Sequence, residues 1–179
     1  MKAWIVAAIL AAFFASGIVR AQSATATARP PTAGTVVLMD STGKVAARPL
    51  NETLMLVTVR NGVVAPASIR PIYGPGGHAA SALATWQAGG SVLFTSSDCT
   101  TGAHVYASPH PGVRAAAQVQ SPAGTLLYVG ADGAAATVAI ESVLYETGCA
   151  PLTIRQSGLF PVIATVNLST AYPPPLSFQ

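Results

Sequence analysis

Apolar residues in this chain come in short runs of alternating or β-branched character, and turn-forming residues separate them. Thr35 to Met39 is the first such run. It meets Asp40-Ser41-Thr42-Gly43, where Asp can bond the backbone ahead of it and Gly can take positive φ. Lys44 to Arg48 returns, so the pair reads as a hairpin. Thr53 to Arg60, TLMLVTVR, is a strong strand. It ends at Asn61-Gly62, a pair suited to a two-residue type I′ turn because both central positions need positive φ. Val63 to Arg70 comes back from that turn. Pro66 lies within it and cannot donate to a ladder, so an edge or bulged strand is expected. Pro71 to Gly77 is a loop. His78 to Gln87, HAASALATWQ, is alanine-rich and is the only stretch resembling a helix, of one or two turns.

Val92-Leu93-Phe94 and His104-Val105-Tyr106 flank a polar turn, Ser96 to Gly102, with Cys99 at its tip. They predict a hairpin. Val113 to Val119 and Thr125 to Val129 follow, joined through Ser121-Pro122-Ala123-Gly124. Ala135 to Glu146 is the longest strand candidate. Val138, Ile140 and Leu144 would share one face; Thr137, Ala139, Glu141 and Tyr145 would share the other. Its β-branched content and period of two argue against a helix. Leu159 to Leu168 gives a last strand, and Tyr172-Pro173-Pro174-Pro175 stops it, with an extended polyproline conformation expected beyond. The whole predicts an all-β domain over 35–170, a β-sandwich or an open barrel of about 8 to 10 short, mostly antiparallel strands. Residues 171–179 would form a proline-rich tail. No internal repeat or linker divides the chain.

The first residues add a destination. Met1-Lys2, the apolar run Ala3 to Phe14 and the small residues of Val19-Arg20-Ala21 have the layout of a secretory signal peptide over 1–21. The run is too short to span a bilayer, which takes about 20 residues. Residues 22–34, QSATATARPPTAG, are expected to be a flexible segment. An exported chain, periplasmic or extracellular, with no transmembrane span after signal removal is the expectation. Charge is scarce, at 8% of residues. The nine basic and six acidic side chains become seven and six once Lys2 and Arg20 leave with the leader. No basic stripe exists to neutralise phosphates, which argues against nucleic acid as a partner. An aromatic content of 7% leaves little for the two girdles of an outer-membrane barrel.

Candidate chemistry is sparse. Cys99 and Cys149 are the two cysteines. In an oxidising compartment they are expected to form a structural disulfide. The alternative, a reactive thiol, is disfavoured because Asp98 beside Cys99 would raise its pKa. His78, His104 and His110 could ligate a metal, but no HxH, HxxxH or HExxH spacing links them. There is no GxSxG, and no two of the six acids form a facing pair. No catalytic residue, metal or cofactor is therefore expected, and the chain reads as a non-enzyme. Tyr73, Trp86 and Tyr106 lie in or beside predicted loops, where binding residues gather, and large rings suit binding because they lose little rotamer entropy. A patch of Tyr106 with Tyr73 is the binding expectation; the alternative is that Trp86 and Tyr106 cover the end of the core.

Two elements resemble a known group. Asp40, Gly43, Lys44 and Val45 fit a D-x-x-G-K-x-V opening hairpin. Phe94, Ser96, Asp98, Cys99, Gly102 and Tyr106 fit an F-x-S-x-D-C-x-G-x-x-Y hairpin, with Thr100-Thr101-Gly102 one residue longer than the usual C-S-G. Both are similar to a loose group of uncharacterised secreted bacterial all-β proteins. The resemblance covers about a third of the mature chain and implies an exported all-β domain, with no activity attached. The penultimate Phe178 and the single cysteine pair resemble chaperone–usher pilin subunits, although the cysteines here fall late and Pro173 to Pro175 interrupts the final strand. The expected function is a non-catalytic structural or interaction module with an envelope or extracellular partner. The alternatives are a pilin-like fibre subunit, or a small periplasmic hydrolase or metal-binding protein.

Overall fold

The computed structural model describes residues 36–74, 76 and 79–179. The expected signal peptide over 1–21, the segment 22–34 and His78 lie outside the described residues. In chain order the elements are β1 (Leu38–Met39), β2 (Val45–Pro49), β3 (Leu54–Thr58), β4 (Val64–Tyr73), β5 (Ala79–Trp86), β6 (Val92–Phe94), β7 (Ala103–Tyr106), β8 (Ala116–Ser121), β9 (Gly124–Gly130), β10 (Ala136–Tyr145), β11 (Gly148–Asn167), the helical turn α1 (Leu168–Ala171) and β12 (Leu176–Phe178). The fold is all-β, and the strand pairings among these elements are antiparallel.

Six strands close into a barrel in the order β1-β12-β5-β4-β3-β2. Barrel width grows with strand number, so six strands leave a narrow interior. Small residues fit it: Ala46, Ala47, Ala65, Ala67 and Ala84 are buried there with Leu38, Met55, Val57, Ile69 and Trp86. The same core continues into Leu127 and Val129 of β9 and Leu168 of α1. The other six strands form a second sheet, β10-β6-β7-β11-β9-β8. Within it β10 also pairs with β11, so β10, β6, β7 and β11 run in a ring. Leu93, Ile140, Val143 and Leu159 make a small core of their own there, while Val92 and Phe94 of the same β6 pack with Val105 and Val119.

Several local expectations change. The helix-like stretch 78–87 is instead strand β5 over Ala79–Trp86, paired to β4 on one side and β12 on the other. Ladders on both edges override the helical preference of alanine, which is a weak local term. Residues 176–178, placed in the tail by sequence, are a barrel strand between β1 and β5. The longest strand is β11, 20 residues, because Gly148 to Gly158 extends the expected 159–168 strand backwards. The Asn61-Gly62 turn is a three-residue connection, Arg60–Gly62, with both Asn61 (φ 60°) and Gly62 (φ 73°) left-handed as anticipated. In β10 the register against β11 shifts between Ile140 and Ser142. Beyond the shift Val143, not Leu144, continues the face of Ile140; Leu144 packs with Val92 and Phe94.

Pro66 shows how a proline enters an internal strand. Ile69 N–H donates to Thr53 O at 2.9 Å, which sets odd-numbered residues of β4 toward β3. Positions 64, 66 and 68 therefore face the other side. There β5 pairs only from Ile69 onward, so Pro66 lacks its donor where no ladder needs one. β4 is not an edge strand, but it has an open edge at Pro66.

Candidate functional site

That open edge forms one wall of a cleft about 620 Å³ in volume. Leu54, Pro66 and Ser68 come from the barrel, Ala116 to Gln118 from β8, Gln87 to Ser91 from the connection after β5, and Tyr106 to His110 from the end of β7. Gln118 joins the two sheets at its floor. Its side chain is buried and meets Ser68 as a neighbouring strand would. Ser68 N–H donates to Gln118 Oε1, and Gln118 Nε2 donates to Ser68 O at 3.2 Å. Gln87 N–H reaches the same carbonyl at 2.9 Å. In turn the N–H groups of Gly89 and Gly90 donate to Gln118 O at 3.3 and 2.9 Å. Gly90 lies so close to β8 that an added Cβ would sit 3.1 Å from Gln118 N and O.

Among the described residues the lining holds no Asp, Glu, Lys or Arg; Tyr106 and His110 are its ionisable side chains. Thr53, Gln87, Ser91 and Tyr106 contribute three hydroxyls and an amide to it, and these side-chain groups form no hydrogen bond among the described residues. Ser108 Oγ accepts from His110 N–H at 3.2 Å and fixes the 108–110 bend.

The sequence-nominated residues separate. Tyr106, 43% exposed, lines the cleft. Tyr73 is 63% exposed at the far end of β4 and is not among the lining residues. Trp86 is 3% exposed and belongs to the barrel core, so it is unavailable to a surface patch. Its Nε1–H donates to Tyr172 O at 3.0 Å, and its ring lies 6.4 Å from that of Tyr172. Tyr172, read from sequence only as a strand stop, also donates its hydroxyl to Thr58 O at 3.1 Å and lies beneath Lys44 Nζ, 4.4 Å from the ring centroid. His104 Nδ1 is 2.8 Å from Gly102 O and outside the cleft. Among the described residues no three His, Cys, Asp or Glu side chains gather as a metal site would require. Gln118 was missed: in AAAQVQS it alternates with Gln120 like a solvent-facing residue, and its partner is 50 positions away.

Cys99 and Cys149 are bonded, with Cα atoms 5.9 Å apart. The β6–β7 turn is built to present Cys99. Ser96 Oγ accepts from Thr100 N–H and Thr101 N–H at 3.2 and 3.1 Å. The Asp98 carboxylate accepts from Thr100 Oγ1 at 2.6 Å, and this bond, with one from Ser96, holds it below the usual carboxylate range. Ser142, fully buried in β10, receives Cys99 N–H at 3.2 Å and donates to Ser96 O at 2.5 Å. Gly102 (φ 66°) closes the turn, where any Cβ would overlap Thr95 Oγ1. No family model, curated protein or solved structure matches the chain.

Proposed function

We propose that this chain is an exported, non-catalytic binding module and that the cleft above Gln118 holds its partner. The lining, without Asp, Glu, Lys or Arg among the described residues, carries this reading. A cleft of this size falls in the range of ligand sites, and it offers unengaged hydroxyl and amide groups with one exposed aromatic ring. General acid–base chemistry needs a positioned group of suitable pKa, and among the described lining residues no Asp, Glu, Lys or Cys stands with His110 to orient or tune it. Export is supported by the leader-like N-terminus and by the disulfide, since such bonds persist in oxidising compartments. No helix among the described residues is long and apolar enough to cross a membrane.

The test is to add fractionated envelope extract (wall polymers, lipids and proteins separately) to isotope-labelled mature protein and follow its backbone amides. The reading expects one fraction to shift signals from 87–91 and 106–110 and to leave the β10–β11 hairpin unmoved. Shifts confined to other surfaces, or chemical turnover of a component in the fraction, would overturn it.

A further inference from the structure

We infer that the cleft takes an uncharged oligosaccharide; this rests on the cleft being the binding site. Three observations narrow the ligand. The first is charge. A charged ligand entering the cleft would shed water and meet no Asp, Glu, Lys or Arg among the described lining residues. Burying an unpaired charge is costly, so the ligand is neutral.

The second concerns the backbone. An extended peptide binds such a place by adding a strand to an open edge. Here the open edge offers few free groups. Ser68 N–H and C=O are taken by the Gln118 side chain and Gln87 N–H. Gln118 O is taken by Gly89 and Gly90, and Pro66 has no N–H to offer. Strand addition therefore lacks a run of alternating backbone partners.

The third is what is left. Thr53, Gln87, Ser91 and Tyr106 hold hydroxyl and amide groups with no intramolecular bond among the described residues, beside the half-exposed Tyr106 ring. Hydroxyls both donate and accept, as sugar hydroxyls do. An aromatic face is electron-rich and matches the C–H face of a pyranose. Neutral hydrogen-bonding groups around one ring fit a sugar better than an apolar or ionic ligand. The cleft's volume of about 620 Å³ has room for more than one linked sugar unit.

The experiment titrates the isotope-labelled protein, to about 10 mM ligand so that even a millimolar complex is populated, with maltotetraose, cellotetraose and chitotetraose. Tetragalacturonate and a neutral Ser/Thr/Gly pentapeptide are run in parallel. The expected result is saturable shifts at 87–91 and 106–110 with a neutral sugar. Tyr106→Ala should weaken that sugar roughly tenfold, and Tyr106→Trp should retain it with an unchanged unfolding midpoint. A response to the acidic sugar alone or the peptide alone overturns the sugar assignment and leaves the binding-module reading standing. Silence with all five probes also overturns it, and the extract experiment then decides the broader reading separately. Neutral-sugar shifts that survive Tyr106→Ala undiminished show that the ring is not the platform and overturn the inference as well.

Discussion

Asp40 sets the geometry of the first hairpin. Its Oδ1 accepts from Thr42 N–H at 2.9 Å, Thr42 Oγ1 at 2.7 Å and Lys44 N–H at 3.0 Å. The side chain is almost wholly buried, and Oδ2 has no hydrogen-bond partner among the described residues. Burial pushes the carboxyl pKa up; the bonds from Thr42 and Lys44, with the Lys44 charge, more than reverse this and leave it below the ordinary value. A depressed folded-state pKa gives stability that is complete above the unfolded value and is lost as pH falls through the folded one. Asp40→Asn should therefore cost about 1 to 2 kcal/mol at neutral pH. Between about pH 5 and pH 2 its urea midpoint should fall less steeply than that of the parent. Parallel acid limbs for the two proteins would show that Asp40 does not supply this dependence. The turn around Asp40 was legible because its bonds close within four residues. The role of Gln118 was not, because nothing local marks a glutamine whose partner is 50 positions away. For Trp86 the sequence left a binding ring and a cover on the core both open: Gly89-Gly90 beside it signals a loop, and the remote contact with Tyr172 puts it in the core.

Elements followed sequence pattern wherever one partner strand sufficed. The hairpins at 38–49, 54–73 and 92–106 each pair with their own chain neighbour, and their turns carry the signal. β12 failed this test because both of its partners, β1 and β5, are distant in sequence. β5 has its chain neighbour β4 on one side and the distant β12 on the other, and its alanines carry little strand signal. The β10 face assignment failed beyond Ile140 because a register shift exchanges the two sides of a strand. The disulfide belongs to this scale, since it ties the β6–β7 turn to the start of β11 across a separation of 50 residues. Closing a loop of that length restricts the unfolded chain and is worth roughly 2 to 4 kcal/mol. Cys149→Ser should lower global stability by that amount. In hydrogen exchange it should loosen 95–102 and 145–150 first, leaving the barrel strands protected. A variant as stable as the parent would show that the Ser142 clamp alone holds the turn.

At the scale of the whole molecule the barrel is completed by its two ends. β1 pairs with β12 through Leu38↔Phe178 and Met39↔Ser177, and β12 pairs onward with β5. Val37 and Gln179 exchange backbone bonds at 3.1 and 3.0 Å. Leu176, with no exposure, fills the interior from this strand. Leu176→Ala should cost about 2 to 5 kcal/mol, the usual figure for emptying a buried leucine site. Deleting 176–179 should do more, because β1 and β5 would both lose a ladder; urea unfolding of the two variants ranks them. If the deletion is the milder change, β12 is not what holds the barrel shut.

A protein closed by its last strand also carries a clock. Synthesis delivers Leu38 long before Leu176, so the barrel cannot close until β12 has been made. Until then β1 and β5 lack their shared neighbour, and the sheet stays open between them.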